Sequence, residues 1–161
     1  MLRLIVLRHA KSDWDAGAQT DHERPLNSRG VREAPLTAAH LAERGFVPSY
    51  ISSSDARRTT ETLELMTPFA AVPRVFDRRL YLADLDVVRA FAPELPPNVA
   101  CWMIVGHNPG WEDLVRELTR VGVEMKTANA AVLRADVATF AELLSGSASV
   151  ALEAMITPGD E

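Results

Sequence analysis

Two continuous apolar, β-prone runs constrain this chain more than any other feature. Leu4–Leu7 stops abruptly at Arg8–His9, and Ala100–Val105 stops at Gly106–His107. A strand with one wet face alternates apolar and polar residues, whereas an unbroken run of this kind suits a strand covered on both faces. Helical patterns lie between the two runs, and strands alternating with helices predict an α/β protein. The expected architecture is a three-layer sandwich over residues 1–161: a mostly parallel central sheet with helices on both faces, in one domain. In open sheets of this type, sites gather beyond the carboxyl ends of the strands. Both histidines fall at such ends.

The remaining pattern fills in the layers. Asn27 suits the N-cap of a helix from about Ser28 to Arg44, stopped at Gly45, with Val31, Ala34, Ala38 and Leu41 on one face. Pro35 inside it predicts a kink or a later start. Tyr50–Ser53 reads as a short strand, followed by a helix that begins near Ser54 or Asp55 and runs to about Thr67. Further strands are expected at Pro73–Phe76, Ala130–Leu133 and Ser149–Ile156, and short helices at Asp84–Phe91 and Thr139–Leu144. Pro109 suits a first helical residue. The helix after it carries Trp111, Leu114, Val115 and Leu118 on one face.

Composition narrows the function classes. A formal net charge of -5 over 161 residues leaves no electrostatic footprint for nucleic acid. An anion site must therefore be a local concentration of arginine. The N-terminal apolar run is too short to span a bilayer. Cys101 is the single cysteine, so no intrachain disulfide can form and a reducing, cytoplasmic setting is expected. Inside ACWMIVG its thiol reads as buried and inert. His9, His22, His40 and His107 lack the short spacings of zinc ligands, so no metal is expected. His40 reads as a solvated helix residue, and His22 as a loop residue without a role. No phosphate loop or dinucleotide fingerprint is present, and no cofactor is expected.

Three strand ends carry reactive groups. A neutral imidazole at His9 is a competent nucleophile toward phosphorus. The Arg8 guanidinium beside it can grip phosphoryl oxygens with a bidentate fork. In SSSDARRTTET, Arg57 and Arg58 sit where a helix N-terminus already attracts anions. Arg57 is the better candidate for a surface pair with Glu61 or Glu64. In GHNP, His107 either points into a site or caps the following helix, with Asn108 as the alternative cap.

Taken together, these motifs resemble the histidine phosphatase superfamily, of phosphoglycerate-mutase-like fold. LRHAKSDW is similar to the family's first element. SSSDARRTTET is similar to S-x-x-x-R-x-x-x-T, which selects Ser54, Arg58 and Thr62. VGHNPGWEDL is similar to the second histidine element. DHERPLNSRG is similar to R-P-L-T-x-x-G through Arg24, Pro25, Leu26 and Gly30. The likeness runs over residues 1–120 and is strongest to the compact SixA-type phosphohistidine phosphatases. It implies His9 as nucleophile, with Arg8, Arg58 and His107 as catalytic, phosphate-binding partners, without metal or cofactor. It implies a phosphorylated protein (phosphohistidine) or a small phosphorylated molecule as substrate, and a monomer. A small-molecule phosphomonoesterase and a phospho-binding module without turnover are the competing readings. The acid that larger members use to protonate the leaving group has no clear equivalent. Asp77, Asp84 and Asp86 lie in the corresponding stretch.

Overall fold

The structure is a computed structural model that describes residues 1–159. Six strands form one sheet in the order β3-β2-β4-β1-β5-β6. They are β1 (Leu2–Arg8), β2 (Tyr50–Ser54), β3 (Arg74–Asp77), β4 (Cys101–Gly106), β5 (Ala130–Ala135) and β6 (Ala151–Ile156). The first four run parallel, and β5 and β6 are antiparallel to their neighbours. Five α-helices cover it: α1 (Ser28–Glu43), α2 (Arg57–Glu64), α3 (Leu85–Phe91), α4 (Gly110–Thr119) and α5 (Phe140–Leu144).

The unbroken apolar runs are central strands, and their residues divide between the two faces by the two-residue period of a strand. Leu4, Val6, Trp102, Ile104, Ala131 and Leu133 pack with residues of α3, α4 and α5, among them Leu85, Phe91, Trp111, Leu114 and Phe140. Ile5, Leu7, Met103, Val105 and Val132 pack on the opposite face with Ala38 and Leu41 of α1 and Leu63 of α2. Each central strand feeds two cores, which is why its sequence shows no polar alternation. The result is the expected three-layer α/β sandwich.

Several details differ from expectation. The second helix begins at Arg57 rather than at Ser54 or Asp55 and ends at Glu64, with a separate 3-10 turn at Thr67–Phe69. Ser54 belongs to β2, and Ala56 is still extended, so the chain turns before it coils. The first helix starts on time, with Asn27 accepting from the Gly30 amide at 2.9 Å, and runs unbroken through Pro35. Val31 is exposed. Thr37 takes the inward position and donates to the Ala128 carbonyl. His40 is half-buried and bonds the Pro158 carbonyl, rather than standing in solvent. Pro109 caps α4 from outside, and Asn108 is not a cap: its amide donates to the Met125 carbonyl at 2.8 Å. No helix of the described residues is long and apolar enough to cross a membrane.

Candidate active site

Adjacent parallel strands with matched ends put their following residues side by side. Arg8 of β1 is in register with Gly106 of β4, so His9 and His107 leave the sheet together, with ring centroids 5.2 Å apart. On the other side of β4, β2 ends at Ser54, and the first turn of α2 delivers Arg58 to the same place. Gly106 is needed here for space rather than conformation. A Cβ on it would stand 2.7 Å from the Trp111 ring, which packs into the strand end and donates its indole N–H to the Leu7 carbonyl.

Arg8, His9, Arg58 and His107 all line one small pocket of about 160 Å³, together with Ser12, Arg24 and Asn108. A larger, open depression of about 840 Å³ beside Arg134, Asp136 and Glu142 shares no residue with it and holds no histidine. The four candidate groups therefore share the small pocket. It is well below the usual size of a cavity that encloses a drug-sized ligand.

The hydrogen bonds fix both imidazole tautomers. His9 Nδ1 lies 2.7 Å from the Ala10 carbonyl, which can only accept, so Nδ1 carries the proton and Nε2 keeps its lone pair. At His107 the arrangement is reversed. Arg58 Nη2 lies 3.2 Å from Nδ1, and a guanidinium can only donate. Nδ1 is therefore the acceptor, and Nε2–H donates to the Ser54 hydroxyl at 2.9 Å. Burial, aided by the neighbouring arginines and for His107 by His9, lowers the pKa of His9 to about 3 and that of His107 to about 2. Both rings are neutral near pH 7.

The arginines are deeply set. Arg58 is only 3% exposed. Its Nη1 donates to the Asp21 carbonyl at 2.7 Å and its Nη2 to the Asp21 carboxylate at 3.0 Å. Arg8 donates to the Met125 carbonyl at 3.0 Å, and burial lowers its pKa. The Nε atoms of both arginines are buried without a partner. Buried donors seldom stand empty in a folded protein, and guanidinium groups of this kind are able to hold an anion.

Residues from the quoted motifs act as joints. Thr62 accepts from the Ala10 amide at 3.0 Å and donates to the Arg58 carbonyl, so α2 and the His9 turn are fixed to each other. Ser54 holds His107 and the Ala56 amide. Arg24 donates to Ser12 at 2.6 Å and to Asp21 at 3.0 Å. Arg57 is exposed and pairs with Glu61, as expected.

Asp21 is the group that sequence reading missed. It joins Arg58, Arg24 and the Tyr81 hydroxyl. Burial pushes its pKa up, but these hydrogen bonds and the Arg58 charge outweigh that and hold it at about 2. No spacing rule links Asp21 with Tyr81, since the two meet only through the fold. His22 has a place as well: its Nε2 lies 2.7 Å from Asp55, and its ring meets the Tyr81 ring edge-on. The three acid candidates are engaged elsewhere. Asp77 pairs with Arg79, Asp84 caps α3, Asp86 pairs with Arg89, and none lines the pocket. Cys101 opens β4, with burial pushing its thiol up to about 11. Among the described residues no group of three His, Cys, Asp or Glu side chains gathers as a metal site.

Comparison with known proteins gives the family and the fold. Residues 4–87 match the family model of the histidine phosphatase superfamily (branch 1). An uncharacterised chloroplastic protein of Arabidopsis thaliana is 35% identical over 97% of this chain and 78% of its own length. A SixA structure from Agrobacterium tumefaciens superposes with a TM-score of 0.80 at 27% identity, covering 98% of this chain and 99% of that one. A SixA structure from Nakamurella multipartitia gives 0.77 at 27% identity, over 99% and 97%. On this fold and these matches, the chain belongs to the histidine phosphatase superfamily and is a phosphatase enzyme.

Proposed function

We propose that this phosphatase removes the phosphoryl group from phosphohistidine on a partner protein, through a covalent phosphohistidine at His9 and without a metal. One observation carries the reading. The His9 imidazole is neutral, with Nδ1 tied to Ala10 and the Nε2 lone pair left free, in a pocket with two buried, unpartnered guanidinium N–H groups.

The steps follow from these groups. His9 Nε2 attacks phosphorus in line, the bond to the substrate breaks, and the substrate's ring leaves with the bonding electron pair. An imidazole protonated by solvent on its other nitrogen departs neutral and needs no acid from the protein, in keeping with a pocket that no aspartate or glutamate lines. Water then attacks the phosphoenzyme, releasing phosphate and restoring His9. Arg8 and Arg58 bind the equatorial oxygens and stabilise their charge in both transition states. His107 donates to the same oxygens once its Nδ1 has taken a proton from solvent, which the charge of the arriving dianion favours and which frees Arg58 Nη2 for phosphate. The small pocket supports a substrate that presents a phosphoryl tip while its bulk stays outside. The protein then works as a cytoplasmic monomer.

The test uses a labelled phosphohistidine peptide and rapid quenching. The expected product is enzyme-bound phosphate that is labile in acid and stable in base, formed and lost at rates that match turnover, inhibited by vanadate and indifferent to EDTA. Activity lost with EDTA and restored by a divalent ion would overturn the metal-free mechanism. Turnover of alkyl phosphates faster than of the peptide would move the function to small-molecule hydrolysis.

A further inference from the structure

Two large apolar side chains stand in the open beside the candidate active site. Trp14 is 72% exposed and Leu82 is 58% exposed, and both line the same pocket as His9 and Arg58. Neither position follows from core packing.

Trp14 is fixed from beneath. The Arg24 guanidinium carbon lies 3.5 Å from the centroid of its ring, a close cation–π contact. Arg24 is itself nearly buried and tied to Ser12 and Asp21. One face of the indole is covered by a rigid arginine, and the exposed remainder belongs to the pocket mouth. Leu82 is held by its backbone. Its φ of 56° lies in the left-handed region that a leucine rarely adopts. The next residue packs tightly on α4: the Ala83 carbonyl oxygen would be 1.8 Å from any Cβ placed on Gly110. Asn98 and Arg120 share this backbone conformation away from the pocket, so it is the pairing of strain with a place at the pocket that marks Leu82.

We propose that Trp14 and Leu82 form the specificity-determining lip of this site, a cleft that receives the flat ring of an imidazole carrying the phosphoryl group. The proposal rests on the phosphatase reading above and adds the substrate's ring to it. The pocket has room for a phosphoryl group and little else, so whatever carries that group sits at the mouth, against the lip. A planar ring stacks on an indole and packs against leucine, whereas a flexible alkyl carrier offers neither face. With no pocket carboxylate to protonate a poor leaving group, a ring that leaves unaided is also the carrier whose chemistry fits.

The test measures affinity, so it does not depend on turnover. Two hydrolysis-proof probes are titrated by calorimetry: a phosphonate borne on a triazole ring, and methylphosphonate. The wild type is expected to favour the ring by about tenfold or more, and Trp14→Ala to remove most of that preference. Trp14→Phe, which keeps an aromatic face, retains it. Leu82→Gly lowers the preference while its thermal midpoint holds or rises, because glycine accepts the left-handed backbone. A ring preference equal in wild type and Trp14→Ala overturns the lip. Absence of turnover on every phosphoryl substrate, with the ring preference intact, would count against the phosphatase chemistry and leave the lip standing.

Discussion

The ends of β1 and β4 are built alike: an apolar central strand, then a buried histidine that lines one pocket. The two histidines nevertheless differ in what their nitrogens can do. At His9 a backbone carbonyl accepts a hydrogen bond from Nδ1–H and leaves Nε2 free. At His107 both nitrogens are occupied, Nδ1 by Arg58 and Nε2 by Ser54. A ring with a free lone pair can attack. A ring held at both ends can only position, or donate once it has been protonated. The difference arises from neighbours rather than from the residue. The turn after β1 folds its own carbonyl back onto the ring, whereas His107 faces the β2 end and the first turn of α2.

Removing each histidine separates the two roles. His9→Ala is expected to lose about 10⁴-fold or more in kcat and to form no phosphoenzyme. His107→Ala is expected to lose about 10²–10³-fold, the scale of one transition-state donor, and still to form the phosphoenzyme slowly. Rapid-quench labelling of both variants decides the matter. Acid-labile phosphate on the His9 variant, or none on the His107 variant, would reverse the assignment.

A second contrast lies one residue apart in α2. Arg58 is buried against Asp21 and His107, and Arg57 lies outside with Glu61. Neighbouring helix positions point about 100° apart, so only one of the pair can enter the pocket. Arg58→Ala is expected to cost about 10²-fold or more in kcat/KM, and Arg57→Ala no more than about twofold, since an exposed i,i+4 pair contributes little. Equal losses in steady-state assays would mean that the pocket reaches further out than these side chains indicate.

The unequal visibility of these features in the sequence has a physical basis. The central strands were legible because burial on both faces removes polar residues. His9, Arg58 and His107 were legible because they follow strand ends at fixed offsets within quoted motifs. Asp21 and Tyr81 were not. They lie 60 residues apart and meet only after β2, α2 and the loop before α3 have packed. The helix starts at Arg57 rather than at Ser54, a residue type that suits a cap, because the Ser54 hydroxyl is taken by His107 and the Ala56 amide. Val31 was misplaced because a helical stripe has edges. Only contact with Ala128 shows that Thr37 is the residue turned inward.

The smallest expected effect probes the tautomers themselves, through stability. Unfolded histidine titrates near pH 6.5, whereas His9 and His107 are held neutral down to about 3 and 2, chiefly by burial. Between those values the unfolded chain binds more protons than the folded one, so stability rises with pH there. Their contribution is complete above about pH 6.5 and is lost as pH falls below it, so the thermal midpoint should drop steadily from pH 7 to pH 5. Sulfate, a dianion throughout that range, should change this, most of all at His107. By placing negative charge beside Nδ1 it favours the protonated ring and raises the folded pKa of His107. Sulfate then binds together with a proton, so its binding strengthens as pH falls. The stabilisation that sulfate gives should therefore grow as pH falls, and should grow less in His107→Gln. Melting curves at pH 7.5, 6.5 and 5.5, with and without sulfate, measure it. A sulfate increment independent of pH in the wild type would mean that His107 keeps its neutral tautomer with the anion bound. The two histidines would then differ only in what they touch, and not in their charge during the reaction.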